Sequence, residues 1–150
     1  MPRVSRKKTI TAEPGDVWRL VSDPYNLPRW WPRVMRVENV SGEPSSEGSE
    51  WTAVLETAEG RGVRADYRCA AAVEGERYAW EQQLAGTPFE RHLRSSAVDL
   101  ALADEDGDTA VTITASQALR GLSRLGSPMM RGGQGKVLDA ALDGIEQALP

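Results

Sequence analysis

TAVTITASQALRGLSRLGSPMMRGGQGKVLDAALDGIEQAL, residues 109–149, changes its period part-way along, and that change decides the fold. In its first part Thr109, Val111, Ile113 and Ala115 alternate with Ala110, Thr112 and Thr114, the two-residue repeat of a strand with one buried face. In its last part Val137, Leu138, Ala141, Leu142, Ile145 and Leu149 recur at helical spacing opposite Asp139, Asp143 and Glu146, so an amphipathic helix closes the chain. Ser127-Pro128 offers that helix a cap and a first position. Gly132, Gly133 and Gly135 each weaken it by about 1 kcal/mol relative to alanine, and predict a kink or the close approach of another element.

Working back from residue 109, the acidic turn Asp104 to Asp108 joins the first strand to another with Val98, Leu100 and Leu102 on one side, a closing hairpin. Read as one strand from Phe89 to Leu102, the same parity puts His92, Arg94 and Ser96 on the inner face, provided no bulge intervenes. Before the Gly86-Thr87-Pro88 break, Tyr78, Trp80, Gln82 and Leu84 share a face opposite Arg77, Glu81 and Gln83. Val63, Ala65, Tyr67, Cys69, Ala71 and Val73 alternate with Arg64, Asp66 and Arg68, and Trp51, Ala53 and Leu55 alternate with Thr52 and Glu56. Ser41 to Ser49 reads as a hairpin loop. Val4 to Thr11 is a first strand, and Ala12-Glu13-Pro14-Gly15-Asp16 breaks it before a short helix carrying Val17, Trp18, Leu20 and Val21. Asp23-Pro24 starts a second short helix with Leu27, Trp30 and Trp31, closed by Pro32. The expected architecture is α+β: seven antiparallel strands, two short helices between the first and second, and a long C-terminal helix.

A length of 150 residues matches one domain, 1–150, around one core. Eighteen Lys and Arg against 22 Asp and Glu give a formal charge of -4, which lacks the basic excess of a nucleic-acid binder. The local basic cluster Arg3, Arg6, Lys7, Lys8 reads as the solvated face of the first strand. No apolar run approaches the roughly 18 residues of a membrane span and no secretory leader is visible, so a soluble, cytoplasmic protein is expected. In such a compartment the Asn39-Val40-Ser41 sequon would go unused. The lone Cys69 permits no internal disulfide, and with one histidine a zinc site of the Cys/His type cannot be assembled within one chain. Gly132 to Val137 lacks the first glycine and the Ser/Thr of a phosphate loop, and Gly121 to Leu125 lacks the last glycine of a nucleophile elbow around Ser123. No cofactor is implied.

The strand, the Ala12-Glu13-Pro14-Gly15-Asp16-Val17-Trp18 lead into a helix, the Leu27-Pro28-Arg29-Trp30-Trp31-Pro32-Arg33-Val34 exit, the strand meander and the terminal helix, taken in order, resemble the START-like superfamily. More narrowly, they resemble its polyketide cyclase/dehydrase-type (SRPBCC) branch. The resemblance implies the helix-grip fold, in which a curved sheet wraps around the C-terminal helix and leaves a cavity between them. It also implies the range of that superfamily: lipid and hormone carriers, aromatic-ring cyclases and co-chaperone-like domains. It carries no universal catalytic motif, so no catalytic residue is transferred, and fold alone does not fix function.

Candidate residues follow from strand parity and from that expected cavity. Trp31, Trp51, Leu55, Ala65, Tyr67, Cys69, Tyr78, Trp80, Gln82, His92, Arg94, Ser96 and Met130 are the candidate ligand-binding set. His92, Arg94 and Tyr67 are the candidates for chemistry: His92 to exchange protons, Arg94 to hold a carboxylate or phenolate. Met129 and Met130 would form an adaptable lip, whereas Cys69, with no adjacent base, reads as a small buried hydrophobe. Three functions are in contention. The first is binding of a small hydrophobic or amphipathic molecule, lipids included; the second is a metal-free cyclase or dehydratase using general acid/base chemistry; the third is a protein-interaction domain. The partners expected are a small ligand and neither nucleic acid nor an integral membrane segment; a homodimer is left open.

Overall fold

β1 (Arg3–Ile10) and β7 (Asp108–Leu119), nearly the whole chain apart in sequence, lie side by side in one antiparallel sheet. The computed structural model describes residues 3–57, 59–120 and 127–149, and of residues 127–132 the backbone alone. Between those two strands come β2 (Val34–Ser41), β3 (Glu50–Glu56), β4 (Gly62–Val73), β5 (Arg77–Gln83) and β6 (Leu93–Glu105), giving seven strands in the order β1-β7-β6-β5-β4-β3-β2. β2 to β7 form a meander of neighbouring hairpins. The chain reaches from one open edge to the other through α1 (Pro14–Val21), a 3-10 turn (Pro24–Asn26) and α2 (Leu27–Trp30), and it ends in α3 (Ser127–Ala148). This is the helix-grip architecture, α+β, with two short helices after the first strand.

Local chemistry accounts for these elements. Asp106 and Gly107 both take positive φ, 54° and 92°, and Glu105 pairs with Asp108, so a two-residue turn of the primed kind closes the β6–β7 hairpin. The Gly107 N–H donates to Asp104 Oδ1 at 2.9 Å, which holds that turn shut. α1 starts at Pro14 and buries Val17, Trp18, Leu20 and Val21 on one face; Trp18 meets Tyr78 of β5 edge-on at 5.9 Å. At the 3-10 turn, Asp23 accepts the Tyr25 N–H at 3.0 Å. Leu138, Ala141, Leu142 and Ile145 of α3 are buried in the same core as Ile10, Val17, Trp51, Leu100 and Ile113.

α3 continues through Gly132, Gly133 and Gly135, and the close approach expected of that segment is present. The approach is at Gly135, where a Cβ would crowd the Arg6 guanidinium. Arg6 and Lys8 share the inner parity of β1 with Val4 and Ile10, and they pair with the helix: Arg6 Nε lies 3.5 Å from Asp139, and Lys8 Nζ lies 2.8 Å from Asp143 and 3.1 Å from Glu146. The basic cluster is thus not simply a solvated strand face. Half of it is a clasp between β1 and α3, its exposed pairs individually weak but aligned along the helix.

Two bulges alter the expected parity. Between Cys69 and Ala71 the register of β4 on β5 shifts, so Ala72 sits opposite Tyr78 and packs on the core, Ala71 sits opposite Ala79, and Val73 is 47% exposed. Between Leu93 and Ser95 the register of β6 on β7 shifts as well. Leu93 is therefore the buried residue at that end and Arg94 is exposed. The single long strand expected from Phe89 is also divided: Pro88–Arg91 is a 3-10 turn, and His92, exposed, follows it before β6 begins. Proline at the start of that turn has no N–H to give a sheet, which favours the turn there, and pairing with β7 begins at Leu93.

Candidate functional site

Side chains from β2 to β7, from the chain around α2 and from α3 converge on one cavity of about 290 Å³. Only a strongly curled sheet brings strands so far apart in its order to a common wall. The floor is aromatic: Trp51 of β3 stacks near-parallel on Tyr67 of β4 at 6.1 Å, and Trp31 meets Trp80 of β5 edge-on at 5.4 Å. Trp30 closes this group from behind, 5.5 Å from Trp31 and 6.1 Å from Trp80. Leu55, Val98, Ala115 and Leu138 add aliphatic wall, and Phe89 and Leu93 bring a second, smaller apolar cluster to its rim.

Of the residues expected to line the site, Trp31, Trp51, Leu55, Tyr67, Trp80, Gln82 and Ser96 do line this cavity. Ala65, Cys69 and Tyr78 are buried in the adjoining core and do not reach it. Tyr78 and Cys69 lie together there, the Cys69 thiol donating to the Ala71 carbonyl at 3.4 Å, and burial holds both groups above their ordinary pKa. Arg94, moved by the β6 bulge, lines a surface depression shared with Glu90 and Arg120, and His92 lies outside the cavity wall. Met129 and Met130 fall outside the residues whose side chains are described.

Two polar lining residues, Gln117 and Gln134, escaped the sequence reading although a signal for each was present. Gln117 continues the parity of Val111, Ile113 and Ala115 two positions further, because β7 runs on to Leu119. Gln134 stands one helical turn before Leu138 on the same face of α3.

Polar chemistry in the cavity is sparse. The Gln117 Nε2 donates to Ser96 Oγ at 3.5 Å, while Gln117 Oε1 is buried with no partner among the described residues. Trp51 Nε1 is likewise buried and unpartnered. Burial, aided by the Asp66 carboxylate, pushes the Tyr67 hydroxyl up to about 12, so it keeps its proton and acts as a donor. Among the described residues no three His, Cys, Asp or Glu side chains gather as a metal set. No described helix is long and apolar enough to cross a membrane.

Comparison with known proteins agrees with this architecture. A structure from Thermus thermophilus superposes with a TM-score of 0.77 at 19% identity, over 98% of this chain and 96% of that one. A START superfamily protein from Mycobacterium smegmatis gives 0.76 at 15% identity, over 97% and 94%. One from Thermobifida fusca gives 0.70 at 22% identity, over 97% and 91%. At these identities the likeness is one of fold. No curated protein matches the sequence. The profile of one family, described as polyketide cyclase / dehydrase and lipid transport, matches residues 1–150 from end to end. The meander, the two short helices and the gripping helix are thus a family pattern, and the chain belongs to the polyketide cyclase / dehydrase and lipid transport family.

Proposed function

We propose that the chain binds a small hydrophobic or amphipathic molecule in the cavity between the sheet and α3. One observation carries this reading: Trp51 and Gln117 both line the cavity, and each holds a buried polar atom with no protein partner among the described residues. A buried donor or acceptor left unpaired costs about 1–3 kcal/mol, a cost that a bound molecule offering the complementary group removes. Apolar walls with a few placed polar groups are the usual make-up of a ligand pocket, and 290 Å³ lies at the small end of the usual range, which suits a compact ring system better than a long acyl chain. Family membership supports the same reading.

Binding without chemistry is the reading the geometry favours over a cyclase or dehydratase. General acid/base catalysis needs a group that exchanges protons within reach of the reacting atom. His92 and Arg94 do not line the cavity, and Tyr67 holds its proton far above neutral pH. The direct test is native mass spectrometry of the protein purified from its own host, paired with titration of a hydrophobic fluorescent probe. A copurified small molecule displaced by the probe supports the reading. A protein that carries nothing and takes up no probe sinks it.

A further inference from the structure

The chemistry of the cavity wall says more than its shape. Among the described residues that line it there is no Lys, Arg, His, Asp or Glu. Besides the indole N–H groups of its tryptophans, its polar groups among the described residues are the Tyr67 hydroxyl, the Ser96 hydroxyl and three glutamines, Gln82 from β5, Gln117 from β7 and Gln134 from α3. We propose that the ligand is uncharged, that it is recognised through an adjacent donor and acceptor of the kind a primary amide, a lactam or an enol presents, and that ionised carboxylates are rejected. This inference rests on the reading of the cavity as the binding site.

A carboxylate transferred from water to this wall loses its hydration and meets no counter-charge among the described residues, a far larger penalty than a neutral polar group incurs. A glutamine amide, by contrast, offers two donors and an acceptor with no net charge, so it satisfies a neutral ligand from either side. Gln117 lines the cavity and has its acceptor oxygen buried with no partner among the described residues, and Tyr67 and Trp51, which line the same cavity, each carry a donor. The cations near this end of β6, Arg94 and Arg120, line the surface depression instead, Arg120 donating through Nε to the Leu93 carbonyl at 3.3 Å. The bulge between Leu93 and Ser95 is what keeps a guanidinium off the wall.

The test uses three probes built on one ring system: naphthamide, naphthoate and unsubstituted naphthalene. Each is titrated at neutral pH against the full chain, with quenching of the cavity tryptophans as readout. Naphthamide is expected to bind about tenfold or more tightly than naphthoate, because the anion leaves an unpaired charge in the wall. Gln117→Leu is expected to weaken naphthamide by about tenfold more than it weakens naphthalene, with circular dichroism reporting whether the variant is folded. If that variant does not fold, Gln134→Leu, on the half-buried face of α3, is expected to narrow the same preference. Naphthoate binding as tightly as naphthamide, or a full naphthamide preference surviving in the folded glutamine variants, overturns the inference and leaves cavity binding standing. If none of the three probes binds, the cavity reading falls and the inference falls with it.

Discussion

Gly144 of α3 lies directly against the backbone of Trp30 at the end of α2: a Cβ added there would stand 2.9 Å from both the carbonyl carbon and the Cα of Trp30. The neighbour is main chain, which cannot swing aside as a flexible side chain can. Gly144→Ala should therefore push α3 away from α2 and cost about 1–3 kcal/mol of overpacking, more than the roughly 1 kcal/mol that alanine contributes as a better helix former. Gly133, exposed on the same helix with nothing within 4 Å of its would-be Cβ, is the control. Gly133→Ala should stabilise the protein by about 0.5–1 kcal/mol. Thermal melts of the two variants should move in opposite directions; equal shifts would mean that the Gly144 contact does not matter.

The boundary between cavity and solid core should show in two enlarging substitutions. Ala115 lines the cavity, so Ala115→Leu should fill void, abolish uptake of a hydrophobic probe and leave the protein folded. Ala65, 2% exposed and not part of the cavity wall, leaves no open space for a larger side chain, so Ala65→Phe should cost about 1–3 kcal/mol. Urea unfolding and probe titration on both variants check the pair. An Ala115→Leu protein that still binds probe with full affinity would move the site elsewhere.

Tyr67 sets an alkaline limit on stability. An unfolded tyrosine ionises near its ordinary 10.0, whereas burial holds Tyr67 to about 12. Between those values the unfolded chain releases a proton that the folded chain keeps, so this contribution is complete below pH 10 and is lost as the pH rises towards 12. Tyr78, raised in the same direction by burial, adds to the loss. Tyr67→Phe should flatten the fall in urea midpoint over that window, with phenolate absorbance following the ionisation directly. An unchanged slope would mean that the ring is hydrated.

Arg94 should matter little to ligand affinity. It is exposed and off the cavity wall, so Arg94→Ala should change the affinity of neutral and acidic probes alike by no more than about twofold, the scale of ordinary surface substitutions. A tenfold loss confined to acidic probes would show that the guanidinium reaches the ligand and would restore an anion-binding role.

Much of this molecule is legible from alternation and period. The inner faces of β3 and β5, the shift to helical spacing after β7 and the breaks at Pro14 and Pro24 place the strands and helices, because each is a local pattern repeated over several residues. What local pattern does not hold is a bulge. At Arg94 and at Ala70 nothing in the neighbouring residues marks an extra step; the step is decided by which partner each strand finds across the sheet, Leu93 with Leu119 and Ala72 with Tyr78. One slipped residue exchanges inside for outside for everything beyond it, which is how a cation expected at the ligand came to face water. Gly144 was hidden for a related reason: its importance lies in α2, over a hundred residues earlier, and only the docked helices disclose it.

The pairing of β1 with β7 bears on how the chain is made. Ser5 and Thr114, hydrogen-bonded at 2.7 Å, are 109 residues apart, so β1 leaves the ribosome long before the neighbour it pairs with exists. During that wait β2 to β6 can zip as hairpins, but Val4 and Ile10 stay uncovered, and the apolar hollow has no lid until α3 emerges. A nascent chain of this kind gains its protection from aggregation only once α3 is made, and truncation near residue 137 would release a nearly complete sheet with its inner face open to other chains.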